Sequence, residues 1–272
     1  MACNDDLFYH NAGKCGSRPM PTDLSQNQGT TIAPAVGFNG TYSTRIFSDQ
    51  AVRHIKEHNQ SAGPMFLYVA PQNVHLACGS KDSKLTQGIQ APCETVDTFP
   101  LVKNDTFKGQ SAVTQELDML VGNITAALKA AGMWQTTGEA LRLDYVHAHC
   151  SLTRSVFAWM PAIVFTSDNG GPLDHTTNFP LKGGKHTFWE GGVRVVAGIG
   201  GGLVPAERRG STWDGLAHSA DWFRTLSEGL AGGTPVAKNA TGPIDDDSFD
   251  LWAAMIGGLP SPRTELVHQV VS

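Results

Sequence analysis

Two apolar runs in this chain of 272 residues lead directly into side chains that can do chemistry. Met65 to Ala70 runs into Pro71-Gln72-Asn73-Val74-His75, and Ala162 to Phe165 runs into Thr166-Ser167-Asp168-Asn169-Gly170-Gly171. Asp168 beside Asn169 offers two hard oxygen donors, which suit Ca2+ or Mg2+ better than Zn2+. The two following glycines free the backbone to turn sharply or to let a ligand approach closely. The same pentapeptide fits a capping Asp in a strand-to-helix turn equally well. His75 is a candidate acid–base, although a lone His after a strand is more often structural. Lys182 and Lys185 lie in the Gly-punctuated stretch from Asn178 to Arg194, which returns toward the sheet. Ammonium groups there can hold an anionic part of a substrate, with a solvated basic turn as the plain alternative.

These residues need elements to carry them. Met65 to Ala70, bounded by Gly63-Pro64 and Pro71, has the continuous apolar character of a buried strand in a parallel sheet. Ala162 to Phe165 reads as a second such strand and Val193 to Gly198 as a third. In an open α/β sheet, functional residues gather past the carboxyl ends of strands, where His75 and Asp168-Asn169 would fall. Ser48-Asp49 reads as the cap of a helix carrying Ala51, Val52 and Ile55 and ending near His58-Asn59. Val113, Leu117, Leu120, Val121, Ile124 and Leu128 predict a long helix from about Ser111, with Gly132 as its C-terminal stop. Ser219 and Asp221 open a further amphipathic helix through Trp222, Leu226 and Leu230. Residues 1–44 lack periodicity and read as loop. Strand–helix–strand order with long connections predicts an α/β fold.

Composition narrows the function classes. Hydrophobic residues make up 40% and charged residues 17%, with Lys+Arg 20 against Asp+Glu 25. A net charge of −5 argues against a nucleic-acid binder, which needs a clustered basic surface. It also gives no global attraction to polyanions, so steering of an anionic substrate must be local. No apolar run approaches the length of a membrane span.

The start and the sequons point to different compartments. Met1-Ala2-Cys3-Asn4-Asp5-Asp6 shows no basic or apolar leader segment. Yet Asn-x-Ser/Thr sequons occur at Asn39, Asn59, Asn104, Asn123 and Asn239, as in a glycosylated secretory protein. Cys3 and Cys15 can close one small loop, Cys78 and Cys93 another, and Cys150 is left odd; local pairs of this kind suit an oxidising compartment. A secretory body without a secretory start implies a missing N-terminal portion.

Taken together the segments resemble the sulfatase family, specifically its arylsulfatase B-like group. The resemblance is carried by Thr41-Tyr-Ser-Thr-Arg-Ile-Phe-Ser48 with Ala51, by Phe66-Leu-Tyr-Val-Ala-Pro-Gln-Asn-Val-His75, and by Leu117-Asp118 through Leu128. Ser167-Asp-Asn-Gly-Gly171, Pro180-Leu-Lys-Gly-Gly-Lys185 and Trp189-Glu-Gly-Gly-Val-Arg194 are its most specific parts. His218-Ser-Ala-Asp-Trp222, Asp250-Leu-Trp252 and Pro260-Ser-Pro-Arg263 continue it in order. The resemblance implies a mixed, mainly parallel sheet flanked by helices over residues 1–204, and a small α+β subdomain over 205–272 with a short antiparallel sheet. It implies Asp168 and Asn169 as ligands of one Ca2+ ion. Lys185 would contact the sulfate and the ester oxygen, and His75 would stabilise or protonate the leaving group. The implied substrate is a sulfate ester of a sugar or an aryl alcohol. The implied location is lysosomal or extracellular.

Two departures from the family qualify this. The family's attacking group is the hydrated aldehyde of formylglycine, made from Cys in C-x-P-S-R; that motif does not occur here, and the family's N-terminal portion with it and its Asp-Asp calcium pair is expected upstream. Cys15-Gly-Ser-Arg18 is a superficial likeness lacking the required proline. The family also runs almost directly from its Gly-x-Trp helix end into the strand before Asp168. Here Gly138 to Pro161, with Cys150, His147 and His149, intervenes where such connections ordinarily take about 2–6 residues. A retained intron or gene-prediction error is expected there, with a true surface insertion as the rival; His147 and His149 get no catalytic role. The chain alone is therefore expected to be inactive, and its second reading is a catalytically dead glycan- or partner-binding protein.

Overall fold

The computed structural model describes residues 14–15, 18–19, 24–38, 40–75, 89–134, 161–173, 176–233 and 247–268. The segment 138–160 with Cys150, and also Cys3, Cys78, Asn39 and Asn239, lie outside the described residues. The chain divides into two compact units, residues 1–133 and 134–272.

The first unit is helical, with small hairpins at its start. β1 (Lys14–Cys15) pairs with β2 (Arg18–Pro19), and β3 (Ser25–Gln28) with β4 (Thr31–Pro34), both antiparallel. Gly29 opens the two-residue loop between β3 and β4 at φ +67°, a conformation that glycine adopts at little cost. The sequence reads this stretch as loop; β3 is wholly polar and Ile32 of β4 is exposed, so no hydrophobic period betrays the hairpin.

α1 (Ser43–Glu57) packs along α3 (Asp105–Ala130), with the short α2 (Cys93–Val96) against α3. Ile46, Ala51 and Ile55 of α1 are buried, as are Ala112, Val113, Leu120, Ala127 and Leu128 of α3. Each large aliphatic side chain buried this way contributes about 1.5–3 kcal/mol. Arg45 ties the three helices together. Its Nε and Nη2 donate to the two oxygens of buried Glu116 at 3.0 and 2.7 Å, and its Nη1 donates to Glu94 at 2.7 Å. These bonds, chiefly the one to Glu116, raise the guanidinium pKa above its ordinary value.

α1 begins five residues before the expected cap at Ser48, which is buried inside it. α3 begins at Asp105 rather than Ser111, because Asn104 caps it by accepting from the Phe107 N–H at 3.1 Å. Its end matches expectation. Gly132 stands at φ +70°, its N–H donates to Lys129 O, and the Met133 N–H donates to Leu128 O, the paired bonds of a Schellman stop.

Met65 to Ala70, expected as a buried parallel strand, pairs with no strand among the described residues; Phe66 and Tyr68 are 77% and 79% exposed. An apolar run marks a segment that can be buried, but the burial itself must come from a neighbour. Cys93 carries an exposed free thiol.

In the second unit, β5 (Ala162–Thr166) pairs antiparallel with β6 (Ala197–Gly201). The parallel sheet expected here is thus not seen, since every strand pairing among the described residues is antiparallel. The described residues between the two strands form turns and one short helical turn rather than a crossover helix, and β6 returns in the opposite sense. The third expected strand starts at Ala197 rather than Val193, which ends the helical turn α4 (Glu190–Val193). Further on, α5 (Asp221–Arg224) continues as a π-helical stretch, Thr225–Leu230, and α6 (Trp252–Gly257) follows. Asp221 is buried and binds Arg263 through two hydrogen bonds of 2.6 and 2.7 Å, fastening the C-terminal segment to α5. The short antiparallel sheet expected after residue 205 is absent from the described residues.

Candidate active site

The residues singled out for chemistry fall in two places. Asp168, Asn169 and Lys185 belong to the second unit, where one interlocked loop carries them all. His75 belongs to the first unit.

The loop leaves β5 at Ser167, whose N–H donates to Val196 O at 3.0 Å and extends the ladder by one rung. Asp168 is exposed and Asn169 half-buried. One Asp168 oxygen accepts from the Asn169 N–H at 2.8 Å, and Ser167 Oγ donates to Asn169 O at 3.0 Å. The glycines then engage backbone from the far side of the loop. Gly170 N–H donates to Gly192 O at 3.0 Å, Lys185 N–H to Gly171 O at 3.1 Å, and Gly191 N–H to Lys182 O at 2.8 Å. No side chain fits between these strands of backbone. A Cβ on Gly170 would stand 1.8 Å from Gly191 O, and one on Gly191 would stand 2.1 Å from Gly183 O. The glycine pairs thus serve close backbone packing, which fixes the Asp168-Asn169 turn against the lysine loop.

The two lysines of that loop differ. Lys182 Nζ lies 3.8 Å from the centre of the Trp189 ring, a cation–π contact that occupies it. Lys185 is half-buried, and its ammonium makes no hydrogen bond or ion pair among the described residues. Of the pair, Lys185 is the one with an uncommitted charge.

His75 closes a turn, its N–H donating to Gln72 O at 2.8 Å, and is exposed. That turn is bolted to the helices behind it. Ser43 Oγ donates to Gln72 Oε1 at 3.0 Å, Thr44 hydrogen-bonds Asn73, and Asn73 Nδ2 donates to Val113 O at 2.8 Å. The first-turn hydroxyls of α1 therefore serve the loop that presents His75.

A cation would find oxygen donors only in part. The Asp168 carboxylate and the Asn169 carboxamide are both hard ligands, and Asp168 keeps its second oxygen without a bond to its own turn. Ca2+ takes about six to eight oxygens, and no group of three or more His, Cys, Asp or Glu able to hold a metal occurs among the described residues. By chemistry the pair could supply two of those oxygens.

Sequence reasoning missed Asn178. Its Oδ1 accepts from the Gly171 N–H at 2.9 Å, and its Nδ2 donates to Gly171 O at 2.8 Å and to Gly183 O at 3.2 Å. The available signal was a carboxamide between two Gly-Gly turns whose main-chain groups require partners.

No family model matches the chain. Arylsulfatase J of Mus musculus is 30% identical over 237 residues, 85% of this chain and 32% of that protein. A protein named Sulfatase from Formosa agariphila is 25% identical over 186 residues, 68% of this chain and 29% of that protein. The chain is homologous to the sulfatases. It spans about a third of the length of these curated relatives. Solved structures of Ps i-CgsB, one of them in complex with k-i-k-neocarrahexaose, match with a TM-score of 0.61 and 26% identity, covering 85% of this chain and 42% of that one. With 85% of the chain matched, the sulfatase homology extends into both units. No helix among the described residues is long and apolar enough to cross a membrane.

Proposed function

We propose that this sulfatase homologue carries the metal-turn and sulfate-binding side of an arylsulfatase-type site for a sulfate ester of a sugar or an aryl alcohol. The observation that carries the reading is the interlock of the Asp168-Asn169 turn with the Lys185 loop through Gly171. It holds hard oxygens and an uncommitted ammonium on one rigid backbone frame. Lys185 neutralises charge on the sulfate group, an arrangement that gains strength where water is excluded. In a complete enzyme of the family His75 would take the role of proton donor to the departing alcohol oxygen. Asp168 and Asn169 would hold one side of a Ca2+ ion, whose chemistry there would be withdrawal of charge from the sulfuryl oxygens. The attacking group of the family, formylglycine, derives from a C-x-P-S-R motif that is absent from these 272 residues. This supports a chain that by itself binds sulfate esters without hydrolysing them. The hexasaccharide bound in the Ps i-CgsB structure favours a glycan over a small aryl ester. Five sequons favour a secretory, lysosomal or extracellular location. We also propose 205–272 as a subdomain distinct from the part before it, and 138–161 as foreign to the family's fold.

The test uses the 272-residue chain with Tb3+ in place of Ca2+ and with nitrophenyl sulfate. Both probes should bind, inorganic sulfate should compete with the ester, and no nitrophenol should be released. Asp168→Ala should remove most of the metal binding and Lys185→Ala most of the ester binding. A chain that binds neither probe sinks the reading, and release of nitrophenol overturns the claim that the chain is catalytically incomplete.

A further inference from the structure

We infer that Asn178 is the positioning residue that keeps the metal-binding turn and the sulfate-binding lysine in register, an inference that rests on the function proposed above. The two parts of the site reach each other almost entirely through main chain. Gly171 is the joint: its carbonyl accepts from the Lys185 N–H at 3.1 Å, and it follows Asp168 by three residues. Asn178 saturates this joint. It accepts from the Gly171 N–H at 2.9 Å and returns a hydrogen bond to the Gly171 carbonyl at 2.8 Å. Its second amide hydrogen bond, 3.2 Å to Gly183 O, reaches the backbone two residues before Lys185. One half-buried planar carboxamide thus binds both ends of the frame at once.

Among the described residues of the loop no other side chain hydrogen-bonds both ends of the frame. A Cβ at Gly171 or Gly184 would meet Thr176, Leu173, Asn178 or backbone at 2.2 to 3.4 Å, so a side chain cannot be added at these glycines to brace the turn. Thr187 makes hydrogen bonds too, but both of them go to Gly184 within the lysine loop. Thr187 stabilises that loop, whereas Asn178 couples it to Asp168-Asn169. Asparagine is required for this geometry because only a carboxamide offers one acceptor and two donors in a single plane. Aspartate has the same shape, yet it keeps the bond from Gly171 N–H and sets charge against two carbonyl oxygens.

A residue that couples two binding groups leaves a signature that a plain stabilising residue does not. Displacing positioned groups by about an ångström costs up to about a hundredfold in the process they serve. Asn178→Ala in the 272-residue chain should therefore weaken Tb3+ and nitrophenyl sulfate binding together, each by about tenfold or more. Asn178→Asp, chosen because it preserves the shape of the side chain and so the fold, should weaken both in the same direction. Asp168→Ala and Lys185→Ala should each weaken chiefly its own probe. Thr187→Ala should lower the thermal unfolding midpoint while leaving both affinities within about twofold, since it breaks bonds inside one loop only. The inference is overturned if the Asn178 variants behave like Thr187→Ala, or if they weaken one probe alone. If wild-type chain binds neither probe, the proposed function falls and this inference with it. If Asp168→Ala and Lys185→Ala act as expected and the Asn178 variants do not, only the role of Asn178 is refuted.

Discussion

The helical region around α1 and α3 and the loop from Ser167 to Arg194 hold their shape by opposite means. Between α1 and α3, side chains do the packing: Ile46, Ile55, Val113 and Leu120 fill the space, and Arg45 bridges to Glu116. In the loop, backbone packs on backbone, with Gly170 against Gly191 and Gly191 against Gly183. A side-chain interface can repack when one residue changes volume. A backbone interface has no such slack, because the carbonyls and N–H groups that touch are also the ones that satisfy each other. Such a frame is costly to build and holds appended groups in fixed positions.

The difference is broken most severely at Gly170. Gly170→Ala places a methyl 1.8 Å from Gly191 O, a clash with backbone that cannot be relieved by a rotamer change. The expected cost is about 3 kcal/mol or more, together with loss of the Gly170–Gly192 hydrogen bond. Binding of both Tb3+ and nitrophenyl sulfate should fall below detection while α3 amides keep their hydrogen-exchange protection. Unchanged binding would show that the loop is not the rigid frame described.

The same contrast decides what the sequence could reveal. α3 was legible because its buried residues repeat at helical spacing and Gly132 closes it in a way that glycine alone does cheaply. The start of α1 was misread because Ser43 and Thr44 spend their hydroxyls on Gln72 and Asn73, contacts between residues nearly thirty apart that no local pattern encodes. Direction of strand pairing was not legible at all: β5 looks the same from sequence whether its partner runs with it or against it. Asp168, Asn169 and Lys185 stood out in the sequence by residue type alone. The role of Asn178 stayed hidden because its partners are main-chain groups, and every residue has those.

A milder break lies at the buried pair Asp221–Arg263, a side-chain device inside the backbone-built second unit. Burial pushes the Asp221 carboxyl up, but hydrogen bonds from Arg263, the His218 N–H and the Phe249 N–H outweigh it and hold the group below its ordinary range. A carboxylate with a depressed native pKa adds stability that is present above its unfolded value and lost as pH falls through the native one. Protection of the Phe249 and Leu251 amides should therefore decline on acidification below about pH 4, the unfolded carboxylate value. Asp221→Asn should start about 2 kcal/mol lower at neutral pH, as expected for a buried pair robbed of its charge, and should lack that acid-dependent decline. An acid profile shared by wild type and variant would assign the decline to other groups.

The smallest effect should have the opposite sign. Gly122 lies on the exposed side of α3, and a Cβ there would meet no atom within 4 Å. Gly122→Ala removes backbone freedom from the unfolded chain and adds no clash, so it should stabilise the helix by about 0.5–1 kcal/mol. Slower hydrogen exchange along the middle of α3 would register it. Identical chemistry, a methyl added to a glycine, then stabilises one region and destroys the other, because only the second uses the missing methyl as contact surface. Destabilisation by Gly122→Ala would mean instead that this face of α3 is packed against a neighbour in solution, and would place α3 among the close-packed elements with the Asp168–Lys185 loop.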